Sequence, residues 1–170
     1  MTTLSHSAVG FLITKYFVDR GWLPDGTVTP YLLGIAFANL PDIDGLASLR
    51  KVYDHHNALK NVSHYPINWF LVLLLTYLLS LPFHIHFLSS YLILAGINVF
   101  LHFILDTFSI YYGIAWLGPW KKTKYSFVKM LPILPANTNE WVHWYTKHWV
   151  MYLEIALWLT TLIILVDKFL

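Results

Sequence analysis

The chain has 170 residues, of which 57% are hydrophobic and only 12% charged, against roughly 45–50% apolar and about 25% charged in an ordinary soluble domain. A net charge of +2 gives no electrostatic case for nucleic acid as a partner, and the absence of cysteine excludes disulfides, thiolate zinc sites and a thiol nucleophile. Any metal chemistry must therefore use His, Asp and Glu, and nine histidines are available for it.

In chain order, two short apolar segments come first, Ser7 to Val18 and Tyr31 to Leu40, separated by a turn-rich connection punctuated by Pro24, Asp25 and Gly26. Their length suits half-spanning or interior helices better than independent spans, since a bilayer crossing needs roughly 20 residues. Three longer apolar stretches follow: Tyr65 to Leu81, Phe87 to Phe108 and Trp149 to Val166. With no polar linker to divide it, the chain reads as one domain over residues 1–170, an all-α integral membrane helical bundle of three long spans plus two shorter helices. The N-terminus has neither a basic region nor a small-residue cleavage pattern, so no cleaved signal peptide is expected.

Charge sets the expected orientation. If the segment at Gly45 to His64 lies on one side, then Arg50, Lys51, Lys60, Lys121, Lys122, Lys124, Lys129 and Lys147 share that side, leaving Lys15, Arg20 and Lys168 on the other. The positive-inside rule makes the first side cytoplasmic, and Trp116, Trp120, Trp141, Trp144 and Trp149 suit an aromatic belt there.

Ionisable groups within an apolar span cost about 2.5–3.5 kcal/mol at the bilayer centre and call for a reason. His102 and Asp106 stand four residues apart, so on a helix both project from one face and can hold one ion. Upstream, Asp42 and Asp44 flank Ile43 just after Pro41; they read either as cation ligands or as solvated carboxylates of a turn. His55, His56 and His64 precede the first long span, and His6 opens the first short helix. The topology gathers all of these at the cytoplasmic end. Imidazole and carboxylate ligands suit zinc, and also manganese or iron, and the number of candidates is enough for two ions bridged by a carboxylate that would activate water against a phosphoester. His84 and His86 fall on the opposite side, while His143 and His148 read as belt residues. Glu154, in the last span, has no assigned role at this level.

At these residues the chain resembles the membrane-bound metal-dependent hydrolase family of YdjM-like inner-membrane proteins. The matching pieces are His6-Ser7-Ala8-Val9-Gly10, Leu40-Pro41-Asp42-Ile43-Asp44, His55-His56 to Ser63-His64, and Leu101-His102-Phe103-Ile104-Leu105-Asp106 running on to Trp116-Leu117-Gly118-Pro119. That family is in turn similar to the zinc-dependent phospholipase C and single-strand nuclease superfamily. The resemblance implies an inner-membrane hydrolase with two or more zinc ions, manganese being the substitute, acting on membrane lipid or another phosphate-containing substrate. It implies Asp42, His56, His102 and Asp106 as metal ligands, with His6 and His64 as further ligands or proton carriers, and Asp44 reads beside them as a carboxylate that bridges the ions or supports their ligands. The family's compact His-Arg-Gly-x-Thr-His-Ser segment is here opened out by Asn57 to Val62, which leaves the choice among His55, His56 and His64 open. Two rival readings stand beside it: a path for a metal ion or protons, and a non-catalytic module stiffened by a structural metal.

Overall fold

The computed structural model describes residues 2–43, 62–83, 86–109, 113–128 and 138–169. Six α-helices carry it: α1 (Thr3–Asp19), α2 (Thr29–Asn39), α3 (Pro66–Ser80), α4 (His86–Thr107), α5 (Thr138–Thr146) and α6 (Trp149–Phe169). Short 3₁₀ turns lie at the C-terminal end of α2 (Leu40–Asp42) and on either side of α3 (Val62–His64 and Leu81–Phe83).

Among the described residues two helices, not three, are long and apolar enough to cross a membrane: α4 through Leu88–Thr107 and α6 through Trp149–Asp167. The stretch expected as the first long span does form a helix, but α3 has only 15 residues. At about 1.5 Å per residue it reaches roughly 22 Å, short of a hydrocarbon core of about 30 Å. Its limits are chemical. Pro66 occupies the first turn, where its missing N–H costs nothing, and at the other end Pro82 draws the chain into a 3₁₀ turn after Ser80. The side chains of α3 and α6 are largely exposed, Phe70, Leu75, Leu79, Leu159, Leu162 and Ile163 among them. Such a surface is costly in water and at home in lipid.

The two shorter helices form the tightest pair. Contacts run from Ser7 against Asn39, through Gly10 against Ala38, to Thr14 against Gly34, so α1 and α2 lie antiparallel. Gly10 and Gly34 make this possible: an added Cβ on Gly10 would sit 2.7 Å from the Gly34 carbonyl oxygen, and one on Gly34 would sit 1.8 Å from Thr14 Oγ1. Small residues four apart on both helices let the backbones approach, the usual packing device where apolar surfaces gain little from leaving lipid. Thr14 Oγ1 donates to the Gly10 carbonyl and is thereby satisfied.

Around this pair the buried core consists of Phe11, Phe17, Val18, Leu23, Tyr31 and, from α4, Leu94. A second cluster of Val99, Phe103 and Ile114 ties α4 to the segment 113–128, which closes on itself through paired Ile114 and Tyr125 backbones. Gly113 adopts φ +61°, and a Cβ there would meet the Tyr125 carbonyl at 2.5 Å, so this closure requires glycine. Helix α4 thus packs against α1, α2 and α3, and α6 against α1.

Candidate metal centre

Three separate pieces of chain converge at the C-terminal end of α4. Helix α4 supplies His102 and Asp106, which the four-residue spacing places on one face as the sequence leads one to expect; His102 Nε2 lies 3.2 Å from Asp106 Oδ2. The 3₁₀ turn that follows α2 supplies Asp42. Pro41, fully buried, has no N–H with which to continue the α-helix, so the backbone tightens and carries Asp42 toward α4. The 3₁₀ turn before α3 supplies His64.

One ligand atom from each of Asp42, His64, His102 and Asp106 lies within 4.8 Å of every other. Tetrahedral donors at about 2.1 Å from one ion lie about 3.4 Å from one another. The separations here are close to that: 3.2 Å for His64 Nε2 to Asp42 Oδ1, 3.6 Å for His102 Nε2 to Asp42 Oδ1, and 4.0 Å for His64 Nε2 to Asp106 Oδ2.

The orientation of the His102 ring is set from outside the cluster. Its Nδ1–H donates to the Ala38 carbonyl at 2.8 Å, one of the last-turn carbonyls of α2. A neutral imidazole that donates through Nδ1 has its lone pair on Nε2. That atom is buried and makes no hydrogen bond among the described residues, while two carboxylate oxygens face it. A lone pair opposed to carboxylates is repelled by them, and a cation between them, a metal ion or a second proton on the ring, relieves that repulsion. The backbone acceptor behind the ring is the arrangement that commonly orients a metal-ligating histidine.

His6 stands just behind this group. Its ring stacks on His102 with centroids 3.9 Å apart, and its Nε2–H donates to Asp106 Oδ1 at 3.1 Å. It therefore occupies the Asp106 oxygen that His102 does not face, and it is buried, as His102 is. Asp42 and His64 form the open edge, with side chains 35% and 27% exposed. Burial works to raise the Asp42 carboxyl, but the hydrogen bond from His64 and the nearby His102 outweigh it, so the group is held below the usual carboxylate value.

Asp44, His55 and His56 lie outside the described residues. His64 stands inside the four-atom group, which makes it a ligand candidate rather than a detached proton carrier. His143 and His148 are elsewhere: His143 Nε2 meets Lys147 on the exposed face of α5, and His148 Nδ1 accepts the Val150 N–H at the start of α6. Two participants escape a reading by side-chain type. The Ala38 carbonyl has no signature in sequence. Glu154 is completely buried and hydrogen-bonded to the first turn of α1.

The segment 113–128 lies beside the cluster. Tyr65, next to His64, packs directly on Gly118, where a Cβ would meet the ring at 2.2 Å; Phe127 N–H and Ser126 Oγ both donate to the Thr107 carbonyl, one residue past Asp106. Lys121 and Lys122 are exposed on this segment.

No curated protein and no solved structure matches the chain. The model of the YdjM inner membrane protein family matches residues 1–169, nearly the whole length and every residue of the cluster, and the chain belongs to that family.

Proposed function

We propose that the protein is a membrane-embedded, metal-dependent hydrolase that cleaves a phosphoester at the cytoplasmic face of the inner membrane. The observation that carries this reading is the convergence of Asp42, His64, His102 and Asp106 with the buried Nε2 lone pair of His102 aimed at two carboxylates. This donor set of two imidazoles and two carboxylates fits zinc, and manganese as a substitute.

A divalent ion held there would supply Lewis acidity and a water acidified toward pKa about 7. The chain's own groups divide the remaining work. His102 and Asp106 form the buried floor, their orientation held by Ala38 and His6. Asp42 and His64, on the exposed edge, are where a substrate oxygen and solvent can enter. His64 completes the donor set on that edge, its Nε2 3.2 Å from Asp42 Oδ1. Lys121 and Lys122 draw an anionic headgroup or phosphate toward that edge, each contributing on the order of 1 kcal/mol near an anionic surface.

The test is metal content per chain in detergent-purified protein, measured together with hydrolysis of a chromogenic phosphodiester and a chromogenic phosphocholine ester. Bound zinc or manganese with turnover lost in His102→Ala supports the reading. Metal without turnover on any phosphoester would replace it with a structural metal. No metal after reconstitution would remove both and favour a protonated His102 in a proton path.

A further inference from the structure

Glu154 is a carboxylate inside a helix long and apolar enough to span a membrane, and its side chain is completely buried. Such a group is retained only when its charge is well compensated. Among the described residues its partners all come from the start of α1: it accepts the Thr2 N–H at 3.1 Å, the Thr2 hydroxyl, and the Ser5 hydroxyl at 2.6 Å. Thr2 is the N-cap of α1, its Oγ1 in turn accepting the Ser5 N–H. A carboxylate here satisfies donors that a helix N-terminus leaves unpaired and sits at the positive end of the helix dipole. The very next residue is His6, which grips Asp106 Oδ1 and stacks on His102.

We propose that Glu154 is a positioning residue for the metal centre: by clamping Thr2 and Ser5 it sets the depth and rotation of the first turn of α1, so that His6 holds one oxygen of Asp106 and leaves the other facing the ion. The spanning helix α6, which contributes no donor to the four-atom group, thereby controls its affinity. This rests on the metal reading above. A purely structural Glu154 would stabilise the bundle without any preference for His6.

The test uses the full chain in detergent and zinc affinity by chelator competition, for wild type, Glu154→Gln, His6→Ala and the double variant. Loss of a group that orients a ligand weakens affinity by about 10–100-fold. The expected result is a loss in that range for each single variant, with the double variant no weaker than His6→Ala alone. Wild-type affinity in Glu154→Gln, or losses that multiply in the double variant, would overturn the proposal. If Glu154→Gln does not fold, Ser5→Ala and Thr2→Val go through the same cycle, with a smaller loss that again vanishes on His6→Ala. Histidine-ring NMR of the metal-free protein provides an independent arm. The exchange-protected Nε2–H of His6 should disappear in Glu154→Gln while the Nδ1–H of His102 persists, and its survival would overturn the proposal. A wild type that binds no zinc defeats the metal reading alone, and the clamp is then judged on this signal.

Discussion

His102 donates its Nδ1–H to the Ala38 carbonyl at 2.8 Å, and this one bond across 64 positions of sequence decides what the rest of the cluster can be. In the neutral ring it leaves the unshared pair on Nε2, facing two carboxylates, and it couples the end of α2 to α4 at the level of the ligands.

The first expectation concerns the ligands themselves. His102→Ala and Asp106→Asn should each abolish stoichiometric metal in the purified protein, read by elemental mass spectrometry. His6→Ala, which removes the grip on Asp106 Oδ1 and the stacking on His102 but no atom of the four-donor group, should weaken binding by about 10–100-fold and leave metal bound at saturating concentration. Equal retention in all three variants would mean that the cluster is not the site.

Acid should release the metal through the histidines first. Imidazoles ordinarily titrate near 6.5 and must be neutral to bind, so protons compete with the ion as pH falls from about 7 to 5. Asp42 is held below the usual carboxylate value, so it stays ionised through that window. A depressed carboxyl contributes folding stability that is present above its unfolded value and is lost only as pH falls through the lower folded one. Metal retention measured against pH should therefore drop well before unfolding, and simultaneous loss of metal and fold would contradict this order.

Two glycines should respond oppositely to the same change. Gly34→Ala places a methyl group 1.8 Å from Thr14 Oγ1 and forces α1 from α2, a cost of about 1–3 kcal/mol, with metal affinity falling as Ala38 shifts. Gly96→Ala, whose Cβ would meet only Leu73 at an ordinary 3.8 Å, should be neutral or stabilising by up to about 1 kcal/mol, the helix preference of alanine over glycine. Thermal unfolding in detergent distinguishes them.

The exposed face of α6 should behave as a lipid-facing surface. Ile163, 68% exposed within the bundle, becomes a poor site for charge: Ile163→Arg costs about 2.5–3.5 kcal/mol if it lies near the bilayer centre. The wild type should resist carbonate extraction from membranes and Ile163→Arg should be partly lost from them. An unaffected membrane fraction would place this helix elsewhere.

Composition and hydropathy alone determined that the chain is helical and built for lipid, because an apolar excess of this size leaves few other ways to satisfy a backbone. The pairing of His102 with Asp106 was equally readable, since a four-residue spacing on one helix is a local property. Distance-dependent features were not. Whether Tyr65 to Leu81 spans a bilayer depended on where Pro66 and Pro82 bound α3. That His64 joins Asp42, His102 and Asp106 depended on the turn at Val62–His64 packing against the turn at Leu40–Asp42. Ala38 acts through a backbone carbonyl that any residue would carry, and Glu154 finds its purpose only when α6 docks on the N-terminus of α1. Residue type and local period belong to the sequence. Which lone pairs meet, and which carboxylate clamps which helix end, is settled only when buried polar groups from distant segments must find partners in one packed interior.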